Sequence, residues 1–148
     1  MRAQKVIVAL AVAAICLAGC ETVRICNSDG GMEISQNEGG TANVRSDDVC
    51  FGEGLSLDGS VLSRNSEGFL VASVELRNHH GDPSDYNRKD PFTLQYRFSW
   101  LDANGIEILP DASQWIRKKF YGGEADRLQS SAPRREATRF VLRLRHVR

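Results

Sequence analysis

The chain has 148 residues, 41% of them apolar, and its 19 basic residues balance 19 acidic ones. That length suits one domain rather than two. A formal net charge of zero gives no electrostatic reason to bind nucleic acid or to be drawn to an anionic membrane.

Arg2 and Lys5 open a segment that continues as an unbroken apolar run from Val6 to Ala18 and closes on Leu17-Ala18-Gly19-Cys20. A basic start, a short apolar stretch and small residues before a cut are the layout of a secretory signal. Its 13 apolar residues are too few to cross a bilayer, which takes roughly 20. The Leu-Ala-Gly-Cys ending resembles the lipobox of bacterial lipoproteins. That resemblance implies removal of residues 1–19, acylation of Cys20 and lasting attachment to a membrane through lipid. It also implies an outer-membrane address facing the periplasm, since Glu21 and not Asp follows the modified Cys. The mature chain then keeps 129 residues, with 17 basic and 19 acidic side chains.

Residues 20–54 are expected to form a lipidated flexible tether. They are dense in Gly, Asn, Ser and Asp, with few large apolar residues, Val23, Ile25, Met32, Ile34 and Val44 among them, too little apolar surface to offset the entropy of ordering. As a tether they would have an r.m.s. span of about 30 Å. Cys26 and Cys50 are the candidate disulfide, an even pair in an oxidising compartment. A bridge would stabilise the fold by about 3.5 kcal/mol in the chain-entropy model. The alternative is two unpaired thiols; zinc fits poorly, because neither Cys has a second Cys or His beside it at ligand spacing.

From residue 55 to 148 the pattern changes to alternation with period two, the mark of half-buried strands. Leu55, Leu57 and Val61-Leu62 form a first segment, and Asn65-Ser66-Glu67-Gly68 is a turn signal. Phe69 to Asn78 places Leu70, Ala72, Val74 and Leu76 on one face. His79 to Pro91 is a long polar loop. Phe92 to Leu101 carries Phe92, Leu94, Tyr96, Phe98 and Trp100 at strict spacing two. Asp102-Ala103-Asn104-Gly105 then predicts a hairpin returning through Ile106–Ile108, because Asn-Gly accepts φ > 0 at both positions of a type I′ turn. Pro110 ends that return. Trp115–Tyr121 is a further strand candidate, Leu128 lies in a short segment, and Thr138–Val147 alternates again with Phe140, Leu142 and Leu144 inward. No stretch of ten residues carries a helical apolar period. About seven short strands predict an all-β chain, an immunoglobulin-like antiparallel β-sandwich with Trp100 as core anchor; a small barrel is the other architecture.

The run from Tyr96 to Ile108 (YRFSWLDANGIEI), supported by Leu94-Gln95, Ser113-Gln114-Trp115, Ala132-Pro133 and Ala137-Thr138-Arg139-Phe140, resembles the YcfL-like family of bacterial envelope lipoproteins. The resemblance spans about Leu70 to Arg145. It implies a periplasm-facing β-sandwich on a lipid anchor and no reaction, since that family brings no catalytic residues to carry over.

Three clusters are candidate sites. His79, His80 and Asp82 combine imidazole and carboxylate, the donors that suit Zn or Cu; against this, adjacent His in extended chain point opposite ways, and such residues are ordinary in a solvated loop. Trp115 and Tyr121 are a candidate contact patch, as Trp is enriched in interface hot spots, with core packing as the plainer alternative. Arg139, Arg143 and Arg145 lie on the outer face of the last strand, where they would meet acidic partners, phosphate-bearing lipid A or anionic cell-wall polymer, or simply solvate and guard a sheet edge. No Gly-x-Ser-x-Gly elbow, His-Glu-x-x-His helix or phosphate loop occurs. The expectation is therefore a non-catalytic binding or assembly module, without cofactor. It would be held to the membrane by lipid and directed at an envelope protein or cell-wall partner and not at nucleic acid. A periplasmic metal-binding protein using His79, His80 and Asp82 is the alternative.

Overall fold

The computed structural model describes residues 30–47, 54–79 and 92–147. Eight strands run through them: β1 (Gly31–Asn37), β2 (Asn43–Ser46), β3 (Leu55–Arg64), β4 (Leu70–Asn78), β5 (Phe92–Leu101), β6 (Ile116–Phe120), β7 (Ala125–Ser131) and β8 (Arg139–His146). They form two antiparallel sheets, one ordered β2-β1-β8-β5-β6 and the other β3-β4-β7. The expected all-β sandwich is what the chain adopts.

Alternation writes the core directly. Leu70, Ala72, Val74 and Leu76 of β4 are fully buried, as are Ile34 of β1, Leu94 of β5 and Phe140 and Leu142 of β8. Each such large side chain contributes about 1.5–3 kcal/mol relative to exposure. Trp100 anchors this layer as expected. Its ring stands 6.0 Å from Phe140 and 6.5 Å from Phe98, and its indole N–H donates to Ser130 Oγ of the opposite sheet at 3.2 Å.

Pairing is immunoglobulin-like with one substitution. β3, β4 and β7 stand in the order of strands A, B and E, and β6, β5 and β8 in the order C′, C and F. The place of strand G, beside F, is taken by β1 from the N-terminal side of the chain. This corrects the expected tether over residues 31–46. β1 pairs with β8 from Gly31↔Arg145 to Asn37↔Arg139, and β2 pairs with β1. Met32, Ile34 and Gln36 are buried by that pairing. A segment too poor in apolar residues to fold by itself is ordered because β8, apolar along its inner face, needs backbone partners on both sides. Among the described residues the sandwich therefore begins at residue 31 and has eight strands, where a start at 55 and about seven strands were expected.

The turn after β5 also differs in detail. Asp102 O accepts the Gly105 N–H at 3.0 Å, Gly105 has φ +78, and Asn104 has no positive φ. This is a type I turn followed by a left-handed glycine, not type I′. Asp102 Oδ1 explains the choice, accepting the N–H groups of Asn104 at 2.8 Å and Ile106 at 2.9 Å. The return is a single bridge, Leu101↔Glu107, and a 3-10 turn over Pro110–Ala112 follows. β6 is the strand that pairs with the first half of β5.

One end of the sandwich is tied by a single guanidinium. Arg64 Nε and Nη2 donate to the two carboxylate oxygens of Glu38 at 2.7 and 2.6 Å. Its Nη1 reaches Gly68 O and Arg135 O, and Nη2 also reaches Ala137 O. Three connections, β1–β2, β3–β4 and β7–β8, thus meet on one side chain. The Arg64 hydrogen bonds hold the Glu38 carboxyl below its ordinary pKa.

Candidate functional site

Strand register decides which side chains share the outer face of the five-stranded sheet. Arg143 of β8 lies opposite Glu33 of β1 and Arg97 of β5, and Arg145 lies opposite Gly31 and Gln95. Glu33 is in turn opposite Arg45 of β2. Trp115, just before β6, completes the face. The Arg145 guanidinium carbon sits 3.8 Å from the Trp115 ring centroid and that of Arg97 sits 5.3 Å away.

Between these walls runs a groove of about 420 Å³, bordered by Gly31, Arg45, Asp47, Trp115, Arg143 and Arg145 among others. Gly31 lets the strands approach at its rim, since a Cβ built there would meet Leu144 O at 2.2 Å. Asp47 Oδ1 accepts the Gly31 N–H at 2.7 Å, which fixes the chain at the groove's rim.

The cations outnumber what the carboxylates neutralise. Arg143 Nε donates to Glu33 Oε2 at 3.2 Å, and its Nη1 to Ser99 Oγ at 3.2 Å. Arg145 Nε donates to the neutral Gln95 Oε1 at 3.0 Å. Arg97 Nε is buried without a hydrogen-bond partner. Ser99 and Val141, which point out to this face, are nevertheless buried, as side chains beneath long arginine stems can be.

Sequence reasoning singled out Trp115, Tyr121, Arg139, Arg143 and Arg145. The structure unites Trp115, Arg143 and Arg145. Tyr121 lies beyond the far end of β6, six residues from Trp115, and Arg139 at the far end of β8, four residues from Arg143, roughly 20 and 13 Å along their strands from the groove. β8 is the middle strand of its sheet, so its arginines guard no sheet edge. The residues missed were Gly31, Glu33, Arg45, Asp47 and Arg97. Four of them sit in the stretch read as tether, and Arg97 was lost in the solvated positions of the strongest strand.

His79 ends at a different place. Its Nε2 is 2.7 Å from Ser56 Oγ, which also contacts Asp58 Oδ1 at 3.3 Å. Asp58 is engaged by Arg77 and stands on the serine side of the imidazole, unlike the acid of a hydrolase relay, which orients the imidazole from its far nitrogen. Among the described residues no group of three His, Cys, Asp or Glu is placed to hold a metal. His80 and Asp82 lie outside the described residues, as do Cys20, Cys26 and Cys50.

These features define a small antiparallel sandwich with a basic groove on the outer face of its larger sheet. The chain belongs to the family described as "Protein of unknown function (DUF1425)", which it matches over residues 42–146. Two crystal structures share the fold. A DUF1425 family member from Shewanella sp. pv-4 has a TM-score of 0.52 at 19% identity, covering 84% of this chain and 95% of that one. Campylobacter jejuni cj0090 has a TM-score of 0.50 at 20% identity, covering 62% and 85%. No curated protein sequence matches the chain.

Proposed function

We propose that the chain is a lipid-anchored, non-catalytic binding module of the bacterial envelope, acting on the periplasmic side of the outer membrane. The leader, the Leu-Ala-Gly-Cys lipobox ending at Cys20 and the resemblance to YcfL-like envelope lipoproteins support the anchor. The observation that carries the binding role is the Trp115 groove. Among the described residues, Arg45, Arg97, Arg143 and Arg145 share that face with two carboxylates, Glu33 and Asp47, on a chain whose total charge is zero. Charge gathered on one face raises the local concentration of an oppositely charged partner. The partner is an acidic component of the envelope. Gly31 lies eleven residues after Cys20, so the groove's rim stands at most about 40 Å along the chain from the lipid.

Labelled palmitate and crosslinking in intact cells test the two halves. Wild type incorporates palmitate, and Cys20→Ala leaves the membrane fraction. Arg143→Ala with Arg145→Ala stays anchored and loses its crosslinked partner. A Cys20→Ala form that stays equally membrane-bound refutes the anchor, and crosslinks indifferent to the arginines refute the binding face.

A further inference from the structure

Trp115 invites reading as a platform for a sugar or an aromatic group, but its ring is already occupied. Arg145 stacks on it at 3.8 Å and Arg97 lies against it at 5.3 Å. A guanidinium stacked on an aromatic face keeps its N–H edge free for in-plane hydrogen bonds, the geometry that suits oxyanions. Trp115 is thus a positioning residue that presents guanidinium edges.

Two further observations call for an anion. Arg97 and Arg143 are direct cross-strand neighbours, and like charges so placed destabilise a sheet unless a counter-charge intervenes. Arg97 Nε is also buried with no acceptor, so the charge of Arg97 stands behind the groove without an acceptor at that atom. Glu33 pairs with Arg143 at 3.2 Å and Asp47 Oδ1 accepts the Gly31 N–H, so among the described residues Arg45, Arg97 and Arg145 have no carboxylate of their own. A carboxylate ligand would bring two oxygens and a single charge to this set. Three guanidiniums bordering one groove, Arg45, Arg143 and Arg145, match the three terminal oxygens and double charge of a phosphate monoester.

We propose that the groove is a binding site for a phosphate group, held by Arg45, Arg143 and Arg145 and supported by the charge of Arg97. The proposal names the ligand chemistry of the binding face suggested above and rests on that reading for its biological setting. It does not depend on Cys20, so failure of the anchor and failure of the site are separate results.

The test is calorimetric titration of the full chain in neutral detergent with inorganic phosphate and with glycerol phosphate. A parallel arm reconstitutes the protein with vesicles of phosphatidylcholine, alone or mixed with phosphatidic acid, and follows Trp fluorescence. Binding is expected to be saturable, to weaken with salt as paired charges require, and to fall at least about tenfold with each of Arg143→Gln and Arg145→Gln. Arg127→Gln, on the other sheet, leaves it unchanged. Trp115→Leu weakens binding while circular dichroism stays native, and Trp115→Phe restores most of it. A response to the free phosphates identifies the phosphate group itself as sufficient, and a response to phosphatidic acid alone identifies a lipid headgroup; either supports the site. No saturable binding in any arm, equal binding of acetate and phosphate, or full binding by the folded Arg143→Gln/Arg145→Gln protein overturns it.

Discussion

Gly31 is where a single added methyl group is most informative. It sits in β1 opposite Arg145, and a Cβ there would come within 2.2 Å of Leu144 O on the neighbouring strand. A carbon and a carbonyl oxygen normally approach no closer than about 3.3 Å, so β1 or β8 must give by roughly 1 Å. That movement would stretch the flanking ladder bonds and the 2.7 Å bond from Gly31 N to Asp47 Oδ1. Overpacking of this kind costs about 1–3 kcal/mol. At about 3–6 °C per kcal/mol for a domain of this size, Gly31→Ala should lower Tm by roughly 3–18 °C. Gly59 provides the opposite sign in the same protein. It has no positive φ, and no atom lies within 4 Å of a Cβ built there. Gly59→Ala should therefore stabilise by about 0.4–1 kcal/mol through the unfolded chain. Thermal unfolding followed by circular dichroism reads both. A Gly31→Ala protein as stable as wild type would show that β1 is not held against β8 at this spacing, and the account of residues 31–46 as part of the sandwich would fail with it.

Phe140 is fully buried with ring centroids 5.6 Å from Phe98 and 6.0 Å from Trp100; Phe140→Ala should cost about 3–5 kcal/mol in urea unfolding, and a cost below 1 kcal/mol would contradict the packing. Gly105 holds φ +78, so Gly105→Ala should destabilise by about 1–2 kcal/mol, with Gly105→Asn milder because Asn tolerates that conformation. Asn78 is buried and donates from Nδ2 to Phe120 O at 3.2 Å; Asn78→Leu removes that bond and should cost about 1–3 kcal/mol, visible as a shifted urea midpoint. Glu38 gives a pH test. Its folded pKa lies below the ordinary 4.5 because Arg64 hydrogen-bonds the carboxylate, so its contribution is complete above that pH and is lost as pH falls through the lower, folded value. The Tm difference between wild type and Glu38→Gln should accordingly be larger at neutral pH than in strong acid, and a pH-independent difference would count against the ion pair.

What the residues alone determined is local and periodic. Alternation in Leu70–Asn78, Leu94–Trp100 and Phe140–Leu144 marks both the strands and their inward faces, because a pleated strand with one wet side leaves no other arrangement of apolar residues. Trp100 as the core anchor follows from the same rule. Pairing partners leave no such trace. Gly31–Ser46 reads as linker by composition, and only the unpaired edge of β8 makes it a strand, so its role is settled by residues a hundred positions away. The groove is hidden for the same reason. Arg45, Arg97, Arg143 and Arg145 come from three strands, each an ordinary solvated position by itself, and the register of β2, β1, β8 and β5 alone brings them onto one face around Trp115. Sequence spacing governs what lies on one strand; hydrogen bonding between strands governs what lies beside it.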